Sequence, residues 1–240
     1  MTHGLLRRAV AEFLGTGLLV TVVVGSGIMA AQPSPHDIGL ELLENSIATA
    51  FGLAVLILLF APASGAHFNP VVTGADWWLR RRTAHPLPVR EVGVYVAAQV
   101  VGGIGGALLA NAMFAVASGL SDKTRSAPHL WLGEVVATAG LILLIFALAR
   151  TERGRFTPAA VGAYIGAAYW FTSSTSFANP AVTIGRAFSD TFAGIAPASV
   201  PGFVIAQIVG AMVGLAALAV VYPRTDATHQ PARDAAHTTS

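Results

Sequence analysis

Asn179-Pro180-Ala181-Val182-Thr183 repeats, almost letter for letter, the earlier run Asn69-Pro70-Val71-Val72-Thr73. Each run sets an amide side chain before a proline at the favoured first helical position, followed by residues that continue as helix over 71–79 and 181–188. The eleven residues from Asn69 to Leu79 make about 16 Å of helix, roughly half of a hydrocarbon core about 30 Å thick. Neither piece spans a bilayer alone. At membrane depth both must be half-helices enclosed by protein or lining a wet cavity, because lipid cannot satisfy broken backbone.

The surrounding chain puts them at that depth. Its 240 residues are 54% hydrophobic and 11% charged, with mean hydropathy +0.65, where a soluble domain carries about 25% charge. The chain reads as an all-α polytopic membrane protein. Cysteine is absent, which excludes disulfides, thiolate metal sites and cysteine nucleophiles. Arg7 and Arg8 ahead of an apolar run imitate a signal peptide, but that run continues too long and offers no cleavage site before Gln32, so it is taken as a first span.

Six full-length segments are drawn at 9–30, 38–61, 89–115, 130–149, 158–171 and 200–222, with the half-helices after the second and fifth. A cytoplasmic N-terminus places eleven of the fourteen basic residues inside, leaving only Lys123, Arg125 and Arg186 outside, as the positive-inside rule asks. Glu12-Phe13-Leu14-Gly15-Thr16 pairs with Glu134-Val135-Val136-Ala137-Thr138, and Ala98-Gln99-Val100-Val101-Gly102 with Ala206-Gln207-Ile208-Val209-Gly210. Three spans per half is an odd number, so the second half enters upside down: an inverted repeat, with halves at about 8–118 and 129–222 inside a channel domain over 1–222. Small residues along the third and sixth segments allow close helix approach. Residues 223–240 read as a disordered cytoplasmic tail.

Together the run from Ser64 to Thr73, the second run at Asn179, and the paired Glu12/Glu134 and Gln99/Gln207 resemble the aquaporin, or major intrinsic protein, family over about residues 8–222. The resemblance implies a right-handed bundle of six transmembrane helices with two half-helices meeting tip to tip beside a pore. It also implies a homotetramer in the plasma membrane, with both termini cytoplasmic. Small neutral solutes and water are then the partners, passing down their gradients, with no enzyme activity, no cofactor, no metal and no nucleic acid. Two positive helix ends repel cations, and the amides of Asn69 and Asn179 donate to the permeant. Val71 replaces the usual alanine of the first triplet, which narrows the midpoint slightly.

Spacing from the two asparagines carries the family's selectivity filter onto Thr49, Ala167, Ser176 and Val182. Val182 stands where an arginine is usual, so the ring is expected to be wider and less polar. Glycerol, urea and undissociated metalloid acids such as arsenous acid become the expected solutes, and some bacterial relatives that pass arsenite are similar in lacking this arginine. Arg186 lies four residues after Val182. It is either a compensating charge at the outer mouth or an interfacial cation paired with Asp190.

Glu12 and Glu134 invite a proton-relay reading, but their matched placement favours a scaffold that holds loop amides, as the resemblance implies. His67 is a loop brace or a protonation gate, and Gln99 and Gln207 brace the bundle. The remaining histidines, His229 and His237 among them, are too scattered for a metal site. The competing functions are a water-selective channel, a secondary transporter and a non-conducting scaffold.

Overall fold

The computed structural model describes residues 3–223. Helices run over His3–Ala31 (α1), Ile38–Ser64 (α2), Pro70–Arg80 (α3), Val89–Met113 (α4), Pro128–Arg150 (α5), Thr157–Phe171 (α6), Pro180–Arg186 (α7) and Val200–Val221 (α8). The described residues contain no strand. Of the expected tail, residues 224–240, with Arg224, Arg233, His229 and His237, lie outside the described part.

Five helices, α1, α2, α4, α5 and α8, are long and apolar enough to cross a membrane. The fifth expected span is shorter: α6 has 15 residues, preceded by a 3₁₀ turn at Gly154–Phe156, for a combined rise of about 28 Å. Asn69 and Asn179 each cap a half-helix, accepting from Val71 N at 3.0 Å and from Ala181 N at 2.9 Å, with proline next in both. The second half-helix stops at Arg186, two residues before its expected end.

Close backbone approach assembles the bundle, as the small residues of α4 and α8 require. A Cβ on Gly106 would collide with the Gly17 carbonyl of α1, and one on Gly210 would sit 2.6 Å from the Val135 carbonyl of α5. The two halves therefore build like pairs, α1 against α4 and α5 against α8. Core side chains such as Leu19, Val23, Leu53, Leu141, Val161 and Ile165 converge between α1, α2, α5 and α6.

Candidate functional site

The loops that lead into the two half-helices bend sharply. Ala66 and Phe68 ahead of α3, and Ser176 and Ala178 ahead of α7, all have φ near +50°, a left-handed conformation that costs a non-glycine residue on the order of 1–3 kcal/mol. Buried carboxylates hold them there. Glu12 accepts from His67 N (3.0 Å), Phe68 N (2.7 Å), Ser64 Oγ (2.6 Å) and Gln99 Nε2 (2.7 Å). Glu134 accepts from Phe177 N (2.9 Å), Ala178 N (2.8 Å) and Gln207 Nε2 (2.6 Å). Each glutamine also donates to the threonine of the neighbouring half-helix, Gln99 to Thr73 and Gln207 to Thr183. Both carboxylates are fully buried. Their lone pairs are taken by protein donors, as a scaffold requires and a proton relay does not.

These braces bring the half-helix tips together. Asn69 Nδ2 donates to Ala178 O at 2.8 Å, and Asn179 Nδ2 donates to Phe68 O at 2.7 Å, so each tip is tied to the other's loop. A side-chain amide has two donor hydrogens, and the second on each asparagine is available at the wall of the cavity both residues line. Val71 does not narrow this midpoint. It faces α8, away from the cavity, and Val72 lines the wall instead; one residue along a helix turns a side chain by about 100°.

The cavity measures about 160 Å³ and threads the bundle past both tips. Leu53, Ile57, Val72, Leu141, Val161 and Ile165 supply apolar lining, and His67, Asn69, Asn179, Thr49, Tyr169, Ser176 and Arg186 supply polar groups. His67 Nδ1 lies 3.1 Å from Thr73 Oγ1, and its Nε2 is 3.9 Å from an Asp76 oxygen that also pairs with Arg80. The ring is thus braced into its loop while one edge meets the cavity.

At the mouth distal to the N-terminus the structure brings Thr49, Ser176 and Val182 to the cavity lining, and corrects the fourth position. Ala167 is exposed on the outside of α6 and does not line the cavity; Tyr169 does, at 3% exposure, with its hydroxyl 3.1 Å from Thr49 Oγ1. The physical reason is helical phase. Val161, Ile165 and Tyr169 recur every four residues along one face, whereas residue 167 is turned about 200° from 169. That apolar-plus-tyrosine periodicity was the signal in the sequence; counting back from Asn179 crosses the bent loop and loses it. Tyr169→Ala is expected to raise glycerol flux several-fold and Ala167→Leu to leave it unchanged in proteoliposomes, and the opposite ranking would return the position to residue 167.

Arg186 is the larger surprise. It lines the cavity at 2% exposure, its guanidinium 3.4 Å above the Phe177 ring and its Nε donating to Ala193 O. No ion pair to Asp190 forms; that carboxylate instead accepts from Ser121 Oγ and Asp122 N. Two further cations flank it. Lys123 Nζ donates to Phe192 O at 2.8 Å and Arg125 Nε to Gly194 O at 2.9 Å, so three successive carbonyls each hold a basic side chain at this mouth. Ser176 Oγ, buried beside them, has no protein partner.

Burial, then the neighbouring Arg125 and Arg186, push the Lys123 amine down to about 8, against weaker pulls from Glu41 and Asp190. The folded chain therefore binds fewer protons than the unfolded one between about pH 8 and the ordinary lysine range, so this residue's contribution to stability rises with pH across that window. A melting-temperature scan from pH 8 to 9.5 is expected to show that rise, and Lys123→Gln is expected to flatten it.

A model of the family described as "Major intrinsic protein" matches residues 1–176. The chain belongs to the major intrinsic protein family. Among similar proteins of that kind are the aquaglyceroporin AqpS of Rhizobium meliloti, 50% identical over 88% of each chain. Another is the aquaporin AqpM of Methanothermobacter marburgensis, 34% identical over 91% of this chain and 97% of that one. A third is the propanediol uptake facilitator PduF of Citrobacter freundii, 30% identical over 92% and 93%. The X-ray structure of the aquaglyceroporin from Plasmodium falciparum superposes with a TM-score of 0.68 at 19% identity, covering 91% of this chain and 98% of that one, which shows the shared fold. As a major intrinsic protein the chain is an integral membrane channel for small neutral solutes and no enzyme, consistent with the closed hydrogen-bond accounts of Glu12 and Glu134.

Proposed function

We propose that this channel passes small uncharged polar molecules, in particular glycerol and related polyols, urea, undissociated metalloid acids of the arsenous type, and water. The observation that carries the reading is the mixed lining of the cavity, mostly aliphatic side chains interrupted by hydroxyls, amides and one guanidinium. A polyol or hydroxylated acid fits such a lining: its carbon or metalloid centre meets apolar side chains such as Val182 and Leu53 while its hydroxyls exchange water for Thr49, Tyr169 and the unpartnered Ser176 Oγ. The relatives that are an aquaglyceroporin and a propanediol facilitator point to the same solute class. In this reading the selectivity filter is Thr49, Tyr169, Ser176 and Val182, with Arg186 supplying, from one helical turn further on, the charge absent at position 182. Protomers assemble as homotetramers in the plasma membrane, with Arg186 at the outer mouth and the N-terminus in the cytoplasm. The inverted halves over about 8–118 and 129–222 form one channel domain.

Swelling of proteoliposomes in osmotic steps of glycerol, urea and arsenous acid, beside sucrose for water, tests the proposal. All three small solutes are expected to enter faster than in protein-free vesicles, without saturation or dependence on a proton gradient. Passage of water alone would leave a water channel, and gradient-driven counterflow a transporter. Val182→Arg is expected to cut glycerol and urea more than water; equal loss of all would remove position 182 from the filter.

A further inference from the structure

On the outside of the bundle an apolar groove of about 690 Å³ runs between α3 and α8, walled by Val71, Gly74 and Trp78 on one side and Ile208, Met212 and Ala216 on the other. A Cβ added to Gly74 would meet nothing within 4 Å. The groove extends from Pro70 to Trp78 along α3 and from Ile208 to Ala219 along α8, about 12 and 17 Å of helix, close to the roughly 15 Å of hydrocarbon in one leaflet. Its walls carry almost no hydrogen-bonding groups, so water gains little there.

Positive charge gathers at one end only. The Arg81 guanidinium lies 3.2 Å over the Trp78 ring and donates to the Trp78 carbonyl. From the end of α5, Arg150 donates to Leu218 O and Tyr222 O at the end of the facing helix α8. Arg80 pairs with Asp76 at 3.2 Å, and Arg82 is exposed beside them. At the opposite end the groove reaches Pro70, where the half-helix begins.

We propose that the α3–α8 groove is a binding site for an anionic phospholipid. One acyl chain fills the groove from the charged end toward the midplane, and the phosphate meets Arg81, with Arg82 and Arg150 adding to the field that draws it. The charge favours an anionic headgroup over a zwitterionic one by roughly fivefold for each basic residue engaged. The indole of Trp78 carries the guanidinium on one face and borders the chain, which suits a residue placed at the interface.

The test is native mass spectrometry of the full-length protein released from vesicles of equal phosphatidylglycerol and phosphatidylcholine. Wild type is expected to retain phosphatidylglycerol at least about fivefold over phosphatidylcholine. Arg81→Gln is expected to lower that ratio about fivefold while lipid is still retained, and Gly74→Leu, whose Cβ would meet nothing within 4 Å, to lower retention of both lipids. Gel filtration and melting temperature identify any variant that fails to fold. Equal retention of the two lipids by wild type, or a preference that survives both substitutions, overturns the proposal. A change of oligomer mass in Gly74→Leu with retention unaltered also overturns it and gives the groove to a second copy of the chain.

Discussion

Arg186→Ala is expected to raise the potassium conductance of reconstituted channels on the order of tenfold to a hundredfold, with glycerol flux changed by less than about threefold. The guanidinium is buried at the cavity wall. At an effective dielectric of about 20, a unit charge some 7 Å from the path of a cation raises that cation's energy by roughly 2.4 kcal/mol, and each 1.4 kcal/mol is about a decade in rate. What then remains against cations is the pair of half-helix ends at the asparagines, each about half a charge, together with Lys123 and Arg125 nearer the water. Neutral solutes feel no such barrier. Arg186→Lys keeps the charge but loses the stacking on Phe177, and is expected to stay tight to cations. A conductance unmoved by Arg186→Ala, in protein that melts normally, would take Arg186 out of the filter.

Glu134→Leu is expected to be the most damaging single substitution outside the cavity wall, lowering stability by about 4 kcal/mol and solute flux with it. Leucine leaves the amides of Phe177 and Ala178 and the side chain of Gln207 without their acceptor, and each buried donor so stranded costs about 1–3 kcal/mol. The same amides hold Ser176 and Ala178 in left-handed backbone, so the loop relaxes and Asn179 moves off its 2.7 Å bond to Phe68 O. Glu134→Gln keeps one acceptor oxygen and is expected to lose about half as much. Melting curves and swelling rates check both, and a Leu variant that melts and conducts as wild type would show that the loops stand without the carboxylate. The Glu12 site is expected to behave alike, with its four donors.

Much of this architecture was legible because it rests on local chemistry repeated twice. An amide before a proline predicts a capped helix start wherever it occurs, and both half-helices begin at the expected residue. A carboxylate in an apolar helix must find donors, and the family resemblance implied that Glu12 and Glu134 find them in the loop amides, with Gln99 and Gln207 as braces. Glycines spaced along α4 and α8 foretold close helix approach, and the structure supplied the partners, α1 and α5.

The sequence by itself therefore determined the order of helices, the two tips and the groups that hold them, since each depends on a residue's own chemistry and on period. Only the tertiary structure decided which side chains line the cavity. Tyr169 displaced Ala167, Val71 turned toward the lipid-facing groove, and Arg186 came in over Phe177 instead of reaching Asp190. In a helix each residue turns the side chain by about 100°, and the left-handed residues between α6 and α7 break the phase from which such directions are counted. Those directions are fixed by packing against neighbours distant in the chain.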